Sequence, residues 1–469
     1  MLADLQLQLD RTLVQPAYRQ LYERFKAAIG KGVLRPGERV PSIRVLASEL
    51  QLSRGTVELA YQLLISEGYL QGRGAAGTRV STQLSGTRTA TVSRPFAAPR
   101  ALNSMPLAGA PLPYQLGLPA LDAFPRALWS RLHNRQVRGM SPTAMGYPAP
   151  AGLAALRQAL AAYLNISRGL ACEADQVFVC AGYNGCLELI CRALLRPGDE
   201  VWHEDPGYVR SRQLLQAAGA RLLPIPVDDQ GLDVQYAIEH SPQARLALVT
   251  PAQQSPLGVA LSLPRRLALL EWASRQGSWV IEDDYDSEYR YSGRPLPALK
   301  SLDRQDRVLY CGTFSKVLFP GVRLGYLVVP QTQVEHFQQV AASFLGGCPE
   351  QAQGVVCDFI EQGHFARHLK RMRGLYGERR QLAREALNAE LGGALAFADL
   401  PGGMHLLART AQDDQALVQR AREAGLGLQA LSSWCLQAGP GNALLLGFTN
   451  VQDAFQARQW AQRLARVMA

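Results

Sequence analysis

Four polar residues stand where short apolar runs end: Asp205 closes EVWHED, Asp283 follows SWVIE, and Thr313 and Lys316 follow RVLYC. An amine and carboxylates gathered at strand ends can hold a ligand, because in layered α/β sheets ligands sit beyond the carboxyl ends of the strands. A partly desolvated lysine has its pKa lowered enough to present an unprotonated, nucleophilic amine. A second chemistry lies near the amino terminus. There Ser53 precedes a helical segment with Arg54 and Thr56 in its first turn. An arginine so placed can fork onto guanine O6 and N7 in a major groove, and the backbone N–H groups of that turn can hold a phosphate.

The elements that must position these residues follow from periodicity. Leu21, Phe25 and Ile29 fall on one face of a helix opening after Pro16. Pro36, Gly37 and Pro41 punctuate a turn before Ser42, the N-cap of a short helix ending near Leu50. Ser53 caps a longer amphipathic helix with Val57, Tyr61 and Leu64 along one side. Two capped helices a few residues apart make a helix-turn-helix. In GYLQGRGAAGTRV, two short apolar stretches flank Gly72, Arg73, Gly74 and Gly77, which predicts a β-hairpin wing. Residues 81–112 hold no acid, several Pro, Ser and Ala, and no sustained period, as a linker does. From Pro113 onward VFVC, EVWHE, RLLPI, RLALVT, SWVIEDD, RVLYCG and GYLVV are short apolar runs, most of them separated by helical stretches. That alternation predicts an α/β layered sheet with parallel strands predominating. The expected organisation is a small, mainly α unit at 1–80, a linker at 81–112 and a large α/β unit at 113–469.

Composition bounds these readings. A chain of 469 residues is too long for one ordinary core, and 47% hydrophobic with 19% charged residues suits a soluble globular protein rather than a disordered one. Of the formal charge of +10, residues 1–112 carry +7, from fourteen Lys or Arg against seven Asp or Glu. A basic excess at one end is what a binder of phosphate backbones needs. The eight cysteines include no CxxC pair, so neither a disulfide framework nor a metal site is expected. No apolar run of roughly 18 residues is present, so no membrane contact is expected and a cytoplasmic location is the default.

The stretch LRPGERVPSIRVLASELQLSRGTVELAYQLLISEGYLQGRGAAGTRV closely resembles the winged helix-turn-helix domain of the GntR family of regulators, and the resemblance covers residues 16–80. It implies contacts with double-stranded operator DNA from Arg44, from Ser53, Arg54 and Thr56, and from Arg73 with Gly77 in the wing. CGTFSKVLFPGVRLGY at 311–326 resembles the Schiff-base segment of fold-type I aminotransferases, and the joint pattern resembles the MocR subfamily. That resemblance implies pyridoxal 5'-phosphate as cofactor and Lys316 as its Schiff-base lysine and potential base. Arg323 can fork onto the cofactor's phosphate, Thr313 offers a hydroxyl, and Gly182, Tyr183 and Asn184 open a helix whose free N–H groups point toward an anion. VIEDDYDSEYRY resembles the family's ring-anchoring motif, with Asp283 on the pyridine nitrogen and Tyr285 on the ring hydroxyl. A protonated ring is this cofactor's electron sink. EDPGY makes Tyr208 the residue stacked over the ring, and MGYPAPAG makes Tyr147 a donor to the phosphate of a neighbouring subunit, so a homodimer is expected.

Two departures bear on function. The family's HQFPxG segment reads QQSPLG, which leaves the group beside the ring hydroxyl open between Gln253 and Gln254. The arginine that aminotransferases usually present to a substrate carboxylate is missing near ALLLGF, where Leu444, Leu445 and Leu446 supply no cation. Arg210 and Arg212 are the alternative anchors for an acidic effector. The expected function is a regulator whose aminotransferase-like domain senses the cofactor or an amino compound, with slow or absent turnover. The competing reading is a working aminotransferase carrying a DNA-binding domain.

Overall fold

In the first unit Pro16 precedes α1 (Ala17–Gly30), where its missing N–H is no loss because first-turn donors lack intrahelical partners. α2 (Ile43–Glu49) begins at Ser42, whose Oγ accepts from Val45 N at 3.3 Å. α3 (Arg54–Ser66) begins at Ser53, whose Oγ accepts from Thr56 N at 3.1 Å. Each serine satisfies a donor that the helix itself cannot, as the sequence predicts. Leu21, Phe25, Leu46, Val57 and Leu64 are fully buried in the core these helices share, and Tyr61 donates to the Pro41 carbonyl from within it. Ile29, on the edge of that face, is only half-buried. β1 (Leu70–Gly72) pairs antiparallel with β2 (Thr78–Val80), Leu70 opposite Val80, forming the wing.

This computed structural model describes residues 9, 15–72, 74–84, 110–293, 296–344, 346–437 and 439–469. Arg73 and most of the expected linker lie outside the described residues. The chain divides into two compact units, Met1–Ser104 and Met105–Ala469.

The second unit is built on an eight-stranded sheet. Its strands are β3 (Val177–Cys180), β4 (Glu200–Asp205), β5 (Arg221–Asp228), β6 (Gly231–Leu232), β7 (Leu246–Val249), β8 (Trp279–Asp284), β9 (Val308–Thr313) and β10 (Gly325–Val328). They lie in the order β3-β10-β9-β8-β7-β4-β5-β6. The pairings from β5 through β4, β7 and β8 to β9 are all parallel. β10 runs antiparallel to both neighbours, because the connection Phe314–Leu324 is too short for a parallel crossover. β3, β7, β8, β9 and β10 are buried along their whole length, as a sheet covered on both faces requires. All eight cysteines are free thiols, and seven of them are buried.

A second sheet, which periodicity did not single out, follows the long helix His364–Leu391. β11 (Ala396–Phe397), β12 (His405–Arg409), β13 (Gln429–Ala430) and β14 (Ala443–Gly447) form it in the order β11-β12-β14-β13, entirely antiparallel. No helix among the described residues is long and apolar enough to cross a membrane.

Candidate cofactor site and nucleic-acid interface

β8 and β9 are adjacent and parallel, with Asp283 opposite Cys311, so their carboxyl ends open on the same side of the sheet. That register brings Asp283 to one sheet edge with Lys316, which sits in the short helix Phe314–Val317 just after β9. Lys316 Nζ donates to the Gly117 carbonyl at 2.8 Å. Burial lowers the Lys316 pKa; Asp286 and Asp283 oppose that shift and Arg210 adds to it. Asp283 is 5% exposed, and its carboxyl is pushed up to about 8. Burial is the main cause, with Asp284 and Glu204 adding while Tyr183 and Lys316 oppose.

Gly182 opens the helix Gly182–Leu194 directly after β3, with φ of 74°, a left-handed conformation that a side chain resists. The turn sets the first N–H groups of Gly182, Tyr183 and Asn184 beside Arg323, whose guanidinium donates to the Ala181 carbonyl at 3.4 Å. A helix start and a guanidinium side by side make an anion cradle. Thr313 Oγ1 accepts from Ser315 N at 3.2 Å, which leaves its own proton free to donate. The Tyr208 ring lies 6.1 Å from that of Tyr183 and 5.9 Å from that of Trp434, and Asp283 acts on its hydroxyl.

In this region the buried hydroxyls of Tyr183 and Tyr285 face Asp283 and Ser255 without full hydrogen-bond geometry, and Asp286 Oδ1 has no hydrogen-bond partner. A pyridine ring bearing a phosphate and a hydroxyl would complement the cluster. A cationic ring nitrogen offsets the cost of ionising buried Asp283, the cradle takes the phosphate, and Tyr285 has a hydroxyl to pair with. The residues present therefore fit pyridoxal phosphate. When bound, that group supplies an electron sink and an aldehyde carbon for an amine. Tyr183 adds its side chain to the Asp283 neighbourhood, beyond the backbone role that its position at the helix start implies.

Other predicted residues take different places. Asp205 spends its carboxylate on the backbone N–H groups of Leu436 and Gln437, at 2.6 and 2.9 Å, and so ties down a C-terminal loop. Arg212 donates to the Cys435 carbonyl at 3.3 Å, whereas the charge of Arg210 reaches Lys316. Tyr147 is fully exposed. Leu444, Leu445 and Leu446 are fully buried opposite Ala408, Leu407 and Leu406, and bring no cation. Gln254 is consumed by Glu204, by the Pro206 and Ser255 carbonyls and by Leu257 N, leaving Gln253 as the one that turns to Asp286, at 3.2 Å. Asp286 is the residue that sequence reasoning passed over. Its signal was the fourth acid of EDDYD, which spacing alone does not aim at Lys316.

In the first unit Arg44, Ser53 and Arg54 are exposed and Thr56 is half-buried, its hydroxyl 2.8 Å from Ser53 Oγ. A Cβ at Gly77 would lie 3.0 Å from Arg39 Nε, so the wing turn packs on a third exposed arginine, one that the motif did not single out. Arg39 also bridges to Arg79 of β2.

A capped recognition helix with an exposed arginine in its first turn beside a wing, joined to a unit whose strand ends converge on a half-buried lysine, defines a DNA-binding regulator with an aminotransferase-fold domain. The description "Bacterial regulatory proteins, gntR family" matches residues 17–80, and "Aminotransferase class I and II" matches residues 120–436. The chain belongs to the MocR-type branch of the GntR regulators, and pyridoxal phosphate is its cofactor. It is 38% identical to the probable rhizopine catabolism regulatory protein MocR of Rhizobium meliloti, over 95% of this chain and 92% of that one. It is 33% identical to the HTH-type pyridoxine biosynthesis transcriptional regulator PdxR of Corynebacterium glutamicum, over 96% and 95%. Among solved structures, the kynurenine aminotransferase of Pyrococcus horikoshii in complex with PMP aligns with a TM-score of 0.68. The identity is 28%, over 76% of this chain and 90% of that one.

Proposed function

We propose that this regulator reads an amine through cofactor held at Lys316, and that occupancy of the site alters how the first unit engages its operator. The observation that carries this reading is the pairing of a complete ring-binding cluster, Lys316 with Asp283, Tyr285 and Arg323, with buried Leu444–Leu446 where a carboxylate anchor is usual. Turnover by transamination needs repeated, oriented binding of two carboxylate substrates, whereas regulation needs only a ligand that favours one state. Tyr208 stacks on the ring, Thr313 and the cradle at 182–184 hold the phosphate, and Arg210, rather than Arg212, faces the effector. Arg44, Ser53, Arg54, Thr56, Arg73 and Gly77 meet DNA. Residues 1–80 form the DNA-binding domain, 81–112 the linker and 113–469 the effector domain. Tyr147 reaches the cofactor phosphate of a second subunit, which makes the working unit a homodimer in the cytoplasm.

The test is one titration of the purified chain with pyridoxal phosphate, followed by absorbance and by operator binding. Borohydride should trap the cofactor on Lys316, and Lys316→Ala should abolish both the absorbance band and the operator response. Trapping at another lysine sinks the site assignment. The retained Lys316, Asp283 and Arg323 permit, without requiring, a second reading, a working aminotransferase. Efficient multiple turnover, together with operator binding indifferent to cofactor and amines, would establish it instead.

A further inference from the structure

The wall of the site nearest the second sheet is acidic and close-packed where a cation would be expected. Asp286 is 1% exposed; its Oδ2 accepts from Gln253 Nε2 at 3.2 Å, and its Oδ1 has no partner. It heads the charges that act on Lys316, and Lys316 acts on it in return. Gln253 and Asp286 are fenced by the turn at Gly402 and Gly403. Gly403 has φ of 90°, and a Cβ built there would strike Gln253 Nε2 and lie 3.6 Å from Asp286 Oδ2. Just beyond that turn come His405, whose Nε2 is engaged at 2.9 Å with the Pro256 carbonyl, and, opposite it on β14, Gly447. The cation whose charge reaches Lys316 is Arg210.

We propose that Asp286 selects the effector: its free Oδ1 accepts a hydrogen bond from an amine that carries a second donor, an ammonium or a hydroxyl, in place of a carboxylate. This rests on the amine-sensing reading above and specifies the chemical class of ligand. A buried carboxylate oxygen without a partner is costly, and a ligand donor that reaches it recovers that cost. A carboxylate brought to the same place offers Oδ1 no donor and adds negative charge to Asp283, Asp284 and Glu288, whose charges already bear on Asp286, so the site discriminates by repulsion as well as attraction. Burial, with Asp284 and Glu288 nearby, holds the Asp286 carboxyl well above its ordinary range. An arriving ammonium therefore displaces a proton and forms an ion pair, whereas an arriving hydroxyl only adds a hydrogen bond.

Three amines of equal length isolate the far group: 1,3-diaminopropane, 3-amino-1-propanol and 3-aminopropanoate. Each is titrated into full-length, cofactor-loaded protein freed of excess cofactor, with absorbance and operator affinity as readouts. The diamine and the amino alcohol should reach half-effect at concentrations at least tenfold below the amino acid. In Asp286→Ala that ratio should fall to near one. Asp286→Asn should keep the amino alcohol's advantage and lose the diamine's. In Arg210→Ala only the response to 3-aminopropanoate should weaken further. Equal half-effects in the wild type, or a preference for the amino acid, overturns the proposal without any variant, as does a ratio unchanged in Asp286→Ala. Failure to trap cofactor on Lys316 overturns the cofactor reading itself, and the two failures are read separately.

Discussion

At the scale of single residues, the unusual feature is a half-buried lysine whose amine bonds a backbone carbonyl while the charges of Asp286 and Asp283 act on it. Burial lowers the Lys316 pKa from 10.5, with Asp286 and Asp283 resisting. Lowering the pKa of a base raises its neutral fraction at any pH below that value, and only the neutral amine attacks an aldehyde. The rate of cofactor capture should therefore climb with pH and level off below 10.5, at the depressed pKa. Asp286→Asn removes the group that most strongly favours the protonated amine, so its plateau should begin at lower pH. Mixing experiments followed by absorbance check both. A rate still rising past 10.5 would show that Lys316 is not desolvated when it reacts.

At the scale of elements, the caps and first turns carry the argument. Ser53 does two jobs, ending the turn and capping α3 at 3.1 Å, so Ser53→Ala should cost about 1 kcal/mol of stability in the first unit. Thermal or denaturant unfolding of that unit reads this directly. Arg54 lies one residue on, exposed at the start of the same helix. Arg54→Ala should cost about 1 to 3 kcal/mol and relax specificity at one base pair if the contact is to a base. If the contact is to a phosphate, it should weaken all sequences and reduce the salt slope by about one. Operator titrations at several salt concentrations separate the two, and affinity unchanged throughout contradicts both.

At the scale of the whole molecule, two properties emerge that no single element shows. His203 and His368 are both buried neutral, their pKa values lowered to about 4 chiefly by burial. His203 bridges the Glu204 carbonyl to Ser211, and His368 ties the long helix to the Val317 carbonyl beside Lys316. A base whose folded pKa lies below its unfolded value of 6.5 contributes stability that is complete above pH 6.5 and is lost as pH falls toward 4. Each histidine should withdraw on the order of 3 kcal/mol across that window. Denaturant midpoints of the second unit should fall through it, and His203→Asn should flatten the slope; a slope unchanged in that variant would place the acid sensitivity elsewhere. The second property is coupling. If an amine changes operator affinity by some factor, operator DNA must change amine affinity by the same factor. Paired titrations should return equal factors, and unequal ones mean the two ligands are not reading one equilibrium.

Much of this protein was legible from residue order, because the signals are local. Ser42 and Ser53 cap helices wherever they precede apolar periodicity, the seven apolar runs became strands, and the motifs around Lys316, Asp283 and Arg323 marked the sheet edge. The order of strands was not local: β10 turned back because its connection is short, and the second sheet is made of two- to five-residue strands too brief for a period to register. Side-chain direction at the sheet edge was decided from far along the chain. Gly117 receives the Lys316 amine, and the turn at Gly402–Gly403 presses Gln253 toward Asp286. Asp205, first among the predicted strand-end acids, was claimed by a loop more than two hundred residues later, while Asp286, unremarked in sequence, was left with an open oxygen. Spacing can say which residues a strand end delivers. Which of them stay free for a ligand depends on what the rest of the fold has already used, because buried polar groups take the first partner that packing offers.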